Sequence, residues 1–244
     1  MKTYKEYLVG GAVRDEILGL KSKDLDYVFV FDNIPDGTTS MECFEQMTNI
    51  IKENGEIFLS TPSCYTIRYK DKITKEVKDV VMARKEVGYI PGTRTPIVEP
   101  GTLYDDLERR DATLNALAKN DDGTIIDFFN GIEDLKNGIL RTPLDPVKTF
   151  DDDCLRIIRF IRFSITKGFK IDEKCVNVMK AYDYENKMGV VSGERIRDEL
   201  YKCLKHSTID TLDYLGDFAA LRNYIFTRVK ADNNPLWLEP TFKL

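Results

Sequence analysis

Two carboxylates two residues apart, Asp24 and Asp26, stand at the head of an apolar, β-branched and aromatic run, Leu25-Asp26-Tyr27-Val28-Phe29-Val30-Phe31. Alternate residues of a strand point to one face, so both carboxylates project together. Adjacent like charges are unfavourable without a cation, and hard oxygen donors suit Mg²⁺. A third acid could come from a neighbouring strand, and Asp79 in Lys78-Asp79-Val80-Val81 is the candidate. Upstream, Gly10-Gly11-Ala12-Val13-Arg14-Asp15 puts two glycines between a short apolar run, Tyr7-Leu8-Val9, and a helical stretch. Such a turn brings backbone N–H groups close to a phosphate, and the helix dipole favours the anion. Arg14 could add a fork of donors to the same phosphate. Taken singly, each fragment has a plain structural alternative: solvated aspartates in a turn, or a tight strand-to-helix connection that needs glycine.

Holding these residues requires a sheet and helices, and the first half of the chain alternates the two. Patterning predicts strands at 7–9, 25–31, 56–59, 64–69, 77–82 and 125–128, and helices at 13–20, 39–54 and 103–118. Residues 88–101 hold three prolines and three glycines and read as a loop. From Thr149 onward the pattern is almost entirely helical. Leu155, Ile158, Ile161 and Ile165 share one helical face, as do Ile196, Leu200 and Leu204. Thr149-x-x-Asp152 reads as a capping box. Arg156, Arg159 and Arg162, spaced by three, read as a solvated stripe opposite the apolar face or as a functional row. His206 is expected to end a helix as a favourable cation. The tail, residues 231–244, has no usable periodicity, and Trp237 in it reads as a packing anchor.

At 244 residues, 42% hydrophobic and 32% charged, the composition excludes collagen-like and wholly disordered chains. A net charge of −5 argues against a globally basic nucleic-acid coat, although the negative excess lies before residue 150 and the rest is near neutral. Cys43, Cys64, Cys154, Cys175 and Cys203 are scattered, with no Cys-x-x-Cys, and read as reduced thiols. No apolar run approaches the ~20 residues of a membrane helix. The expected location is cytoplasmic, with no membrane partner.

Read together, the two amino-terminal fragments carry more. Gly-Gly-x-x-Arg-Asp at 10–15, then Asp-x-Asp at 24–26, resembles the signature of the polymerase β-like nucleotidyltransferases. Within them it resembles the branch of class II CCA-adding tRNA nucleotidyltransferases and bacterial poly(A) polymerases. Arg109-Arg110-Asp111-Ala112-Thr113-Leu114-Asn115-Ala116, then Asp127-Phe128-Phe129-Asn130-Gly131-Ile132-Glu133-Asp134-Leu135, are similar to the next family segments. Asp152-Asp153-Cys154-Leu155-Arg156-Ile157-Ile158-Arg159 and Glu194-Arg195-Ile196-Arg197-Asp198-Glu199-Leu200 resemble the base-reading helix and the last motif. Ala112 stands where the family usually has an aromatic or large aliphatic residue, and Asp152 where it has Glu.

The resemblance implies an α/β nucleotidyltransferase head, a mixed sheet with flanking helices, over 1–140. An all-helical neck that reads the base and binds RNA follows over 141–230, with an irregular tail over 231–244. It implies a two-metal mechanism in which Asp24 and Asp26 bind the Mg²⁺ ions and, with Asp79, form the catalytic centre. Gly10, Gly11 and Arg14 would hold the triphosphate and Arg110 the nucleotide. Asp153 and Arg156 would read the base, with Arg159 and Arg162 supporting nucleotide or primer. The expected activity is template-independent addition of C and A to a tRNA 3′ end from CTP and ATP. The alternatives are an A-adding, poly(A)-polymerase-like enzyme on another RNA, or a non-catalytic RNA-binding protein on the same scaffold. Family members normally continue through domains that grip the tRNA, so a partner or second copy is the expected source of further RNA surface.

Overall fold

The computed structural model describes residues 4–22, 24–90 and 96–231. The chain divides into two compact units, Met1–Lys136 and Asn137–Leu244. The sequence reading of the tail and of Trp237 lies outside the described residues, apart from Ala231.

In the first unit, β1 (Tyr4–Val9), α1 (Gly11–Ile17), β2 (Asp26–Phe31) and α2 (Ser40–Asn54) come first. They are followed by β3 (Gly55–Thr61), β4 (Thr66–Asp71), β5 (Val77–Met82), β6 (Arg84–Tyr89), β7 (Pro96–Pro100) and α3 (Leu103–Glu108). The last elements are β8 (Leu117–Lys119), β9 (Ile125–Asp127) and α4 (Gly131–Asn137). Seven strands form one mixed sheet in the order β3-β4-β5-β2-β1-β8-β9. β1 and β2 are antiparallel and β2 and β5 parallel.

The alternation of β2 sorts its side chains onto two cores. Phe29 and Phe31 pack with Cys43, Phe44, Met47 and Ile51 of α2 and with Ile67, Tyr69, Val80 and Met82. Val28 faces the other way, with Val9, Ala83, Leu103, Leu107, Ala116 and Ala118. Each fully buried side chain of this size contributes ~1.5–3 kcal/mol of transfer free energy. Asp26 has the parity of Val28 and so belongs to the face covered by α3. Helix α2 starts at a capping box, Thr39 with Glu42, and ends against Gly55.

The second unit contains β10 (Ile139–Leu140), α5 (Pro146–Asp152), α6 (Leu155–Lys167) and β11 (Lys170–Ile171). It continues with α7 (Glu173–Ala181), α8 (Tyr184–Lys187), α9 (Gly193–His206), α10 (Thr208–Asp217) and α11 (Ala219–Ala231). Helix α6 is its centre: Leu155, Ile157, Ile158, Phe160, Ile161, Phe163 and Ile165 are buried, and it packs on α9. The helix stops at Gly168, whose φ of 71° suits a left-handed cap. His206 ends α9, where its charged form complements the dipole.

Three expectations are corrected. Residues 103–118 are not one helix: α3 ends at Glu108, a 3₁₀ turn covers Thr113–Asn115, and β8 begins at Leu117. The cause is tertiary, because Asp111, Thr113 and Asn115 are buried and hydrogen-bond non-helically. Residues 88–101 are not wholly a loop, since β6 and β7 pair as an antiparallel ribbon with an irregularity between Glu86 and Gly88; residues 91–95 lie outside the described residues. The Thr149/Asp152 capping box does not form. Both lie inside α5, which Asp145 caps by accepting from the Val147 amide, and Asp153 caps the next helix by accepting from the Leu155 amide.

Candidate active site

Strand register brings the carboxylates together. Asp26 lies directly beside Asp79 across the parallel β2–β5 pair, and the Asp79 amide donates to the Leu25 carbonyl at 3.2 Å. On the other side Asp26 is opposite Val9, the last residue before Gly10. Loss of solvent in the sheet pushes the Asp26 carboxyl above the ordinary carboxylate range; Asp79 and Asp24 add to the rise, and Arg110 and Arg68 oppose it. Asp26 nevertheless reaches the surface, as Asp24 does. The third acid is already engaged: Arg68 donates from Nε to Asp79 Oδ1 at 2.7 Å and from Nη2 to Oδ2 at 2.5 Å.

The glycine turn is shaped by what approaches it. Gly10 has φ 69°, a region that favours glycine. A Cβ there would lie 2.7 Å from Nη1 of Arg110. The Gly10 amide donates to the Leu117 carbonyl, so Gly10 serves the site by lacking a side chain and not through its N–H. Helix geometry leaves the amides before Arg14 without acceptors inside α1. Arg14 itself is buried. It donates to Asp15 Oδ1 from Nε and Nη2 and to Asn115 Oδ1 from Nη1 at 2.5 Å. Here Arg14 braces the turn, in contrast to the open fork expected of it.

Asn115 is the hub of that brace, because its amide nitrogen donates to Asp111 Oδ1 at 2.9 Å. Arg110 is aimed by Asp106, whose carboxylate is fully buried and accepts from both Arg109 and Arg110. Burial alone would raise the Asp106 carboxyl; the two guanidiniums outweigh it and hold it below the ordinary range. The Asp127–Leu135 segment supports the same core. Asp127 accepts from the Phe129, Gly131 and Ile132 amides, and buried Asp134 accepts from the Thr113 hydroxyl at 2.7 Å. A Cβ on Gly131 would sit 2.2 Å from the Thr113 carbonyl oxygen.

The remaining predicted residues belong to the second unit. Asp153 caps α6 and lies 3.6 Å from Arg195. Arg156 donates to the Thr149 carbonyl at 2.9 Å. Arg162 is paired with buried Glu199 and stacks over Phe163, 4.2 Å from the ring centre; Arg159 lies over the same ring. Burial raises the Glu199 carboxyl, but Arg162, Lys202 and Arg159 hold it below its ordinary value. The three arginines are half-buried, so the solvated-stripe reading does not hold. Sequence reasoning missed Arg68 and Asp106. The polar-apolar alternation Thr66-Ile67-Arg68-Tyr69-Lys70 marks which face Arg68 occupies, though not its partner.

Among the described residues no three His, Cys, Asp or Glu side chains gather as a metal cage. The donor set still fits Mg²⁺, which is commonly held by one or two carboxylates with substrate phosphates supplying the rest. Asp24 and Asp26 are such a pair.

A mixed sheet carrying Asp-x-Asp beside a two-glycine turn, followed by a helical unit, is the fold of a nucleotidyltransferase head and neck. Solved structures agree. The Bacillus stearothermophilus CCA-adding enzyme in complex with CTP aligns with a TM-score of 0.70 at 27% identity, over 87% of this chain and 47% of that one. For the Thermotoga maritima CCA-adding enzyme complexed with tRNA the values are 0.69 and 28%, over 92% and 49%. Residues 6–141 match the Poly A polymerase head domain, and the chain belongs to that family. A CCA-adding enzyme of Lactobacillus helveticus (strain DPC 4571) is 34% identical over 200 residues, 82% of this chain and 46% of that protein. The chain thus spans about half the length of the curated relatives it matches.

Proposed function

We propose that this chain carries the catalytic part of a template-independent RNA nucleotidyltransferase that adds C and A to the 3′ end of tRNA from CTP and ATP. The observation that carries this reading is the register of Asp26 beside Asp79, next to a glycine turn against which Arg110 is held. Similarity to CCA-adding enzymes supplies the substrate class.

Asp24 and Asp26 would hold two Mg²⁺ ions, of which, when bound, one lowers the pKa of the RNA 3′-hydroxyl and the other neutralises the triphosphate and leaving pyrophosphate. Arg110, fixed by Asp106, presents a guanidinium to the triphosphate near the turn. Arg14 acts behind it, holding the turn through Asp15 and Asn115. No histidine base is called for, and the chain's one histidine ends α9. Base choice falls to Asp153 and Arg156. Cytosine and adenine each present an amino donor beside a ring-nitrogen acceptor; a carboxylate accepts from the first and a guanidinium donates to the second. Uracil and guanine reverse that order. In this role Arg156 leaves the Thr149 carbonyl for the base, and Asp153 turns an oxygen from Arg195.

The test is to incubate the protein with Mg²⁺, each labelled NTP and tRNAs ending before C, CC or CCA. Stepwise C, C, A incorporation supports the reading. Incorporation of A alone would favour the A-adding reading, which the family match to a poly(A) polymerase head also suits. RNA bound without incorporation would establish the non-catalytic scaffold instead. No described helix is long and apolar enough to cross a membrane.

A further inference from the structure

The carboxylate centre contains a residue that the proposed chemistry does not use. Arg68 faces Asp79 in register across β4 and β5, and Asp79 lies beside Asp26 across β5 and β2. The order across the sheet is therefore guanidinium, carboxylate, carboxylate. The parity of β4 puts Arg68 on the Asp79 face, because Ile67 and Tyr69 are buried in the opposite core. Both oxygens of Asp79 are taken by one planar fork, at 2.7 and 2.5 Å. Arg68 also feels the charges of Asp24 and Asp26. Its side chain is 48% exposed, and an ion pair this open to water is weakly held. A guanidinium keeps its charge at every working pH, so only displacement by another cation or a change of partner can release Asp79.

We propose that Arg68 is the resident counter-cation of the carboxylate centre, holding Asp79 in the metal-free protein and competing with an incoming divalent cation for that carboxylate. This rests on the reading of Asp24 and Asp26 as cation ligands. Arg68 thereby sets how many carboxylates the cation meets. With the fork closed the cation meets two, and with it open, three. Ligand charge count governs the affinity of hard-cation sites, so Arg68 keeps this centre's own affinity low and leaves the cation dependent on the triphosphate. It is a positioning residue, since it acts through Asp79.

The experiment is a titration of the whole chain with Mn²⁺ alone, reading free Mn²⁺ by electron paramagnetic resonance, for wild type, Arg68→Gln, Asp26→Asn, Asp79→Asn and the Arg68→Gln/Asp79→Asn double variant. Arg68→Gln should bind roughly three- to tenfold tighter than wild type. In the Asp79→Asn background the same change should bring under about twofold, the long-range Coulombic part alone. Unchanged or weaker binding in Arg68→Gln would overturn the proposal, the weaker result showing that Arg68 presents Asp79 as a ligand. An equal gain in both backgrounds would overturn it too. Asp26→Asn reports on the underlying reading: if it binds Mn²⁺ as well as wild type does, the metal centre itself is misplaced and the proposal falls with it. Arg68→Lys, which keeps the charge and loses the fork, should give a smaller gain in the same direction. It serves if the glutamine variant fails to fold, and no gain in it would then count against the competition.

Discussion

Two clusters of charge behave in opposite ways, the carboxylate centre of the first unit and the set around Glu199 of the second, although the first unit also holds a matched set in Asp106 with Arg109 and Arg110. In the second, buried acid and base are matched: Arg162 lies against Glu199 with Lys202 beside it, and the net effect holds the Glu199 carboxyl low. In the first, Asp24, Asp26 and Asp79 crowd one strand end, and Asp26 is pushed up by burial and by its neighbours. A matched pair stabilises the fold it sits in. Arg68 and Arg110 relieve the crowded set only in part, which leaves it open to a cation from outside the chain; in the proposed function the first arrangement is therefore a site and the second a strut.

Substitutions should separate the two. The largest expected effect is on turnover: Asp24→Ala or Asp26→Ala should lower nucleotide incorporation by more than about a hundredfold, ~3 kcal/mol or more of barrier. Retention of a tenth of wild-type turnover in both would remove the distinction drawn above. Next, Glu199→Ala strands Arg162 in a mostly buried position and should cost ~3 kcal/mol of stability, read from urea unfolding of the second-unit signal. A loss below ~0.5 kcal/mol would show that this strut resembles an ordinary surface pair.

Smaller effects test base choice. Arg156→Ala and Asp153→Ala should each cost CTP and ATP use some ~1–3 kcal/mol while eroding discrimination against UTP and GTP. Full C/A selectivity in either variant would assign both residues to the strut class, as a carbonyl tie and a helix cap. The smallest effect concerns pH. The folded-state pKa of Asp26 lies above its unfolded value, so the native state holds that proton more tightly and stability falls as pH rises through the window. In chelator-treated protein Asp26→Asn should therefore raise the unfolding temperature by a few degrees at pH 7. The gain should vanish below about pH 4, where the carboxyl is protonated in both states. For Glu199 the sign is reversed: its contribution is present above its unfolded pKa and is lost as pH falls through the lower folded one. A thermal gain for Asp26→Asn that persists at low pH would have a source other than charge crowding.

Local sequence determined the pieces for which neighbours along the chain are enough. The strand that runs on from Asp26, the Thr39 start and Gly55 stop of α2, and the helical character after Thr149 rest on backbone periodicity and capping, which act within a few residues. The order of the five family-like segments was equally open to reading. Tertiary structure alone decided which charges meet. Arg14 finds Asn115 101 residues away, and Arg162 finds Glu199 37 away. Arg68 reaches Asp79 only because β4 and β5 pair in that register. It also decided that 103–118 breaks after Glu108, since burying Asp111, Thr113 and Asn115 requires partners that a continuous helix would turn away from. Spacing fixes the face on which a side chain lies, but the partner on that face depends on strand register and packing between distant segments, where a shift of one residue exchanges every neighbour.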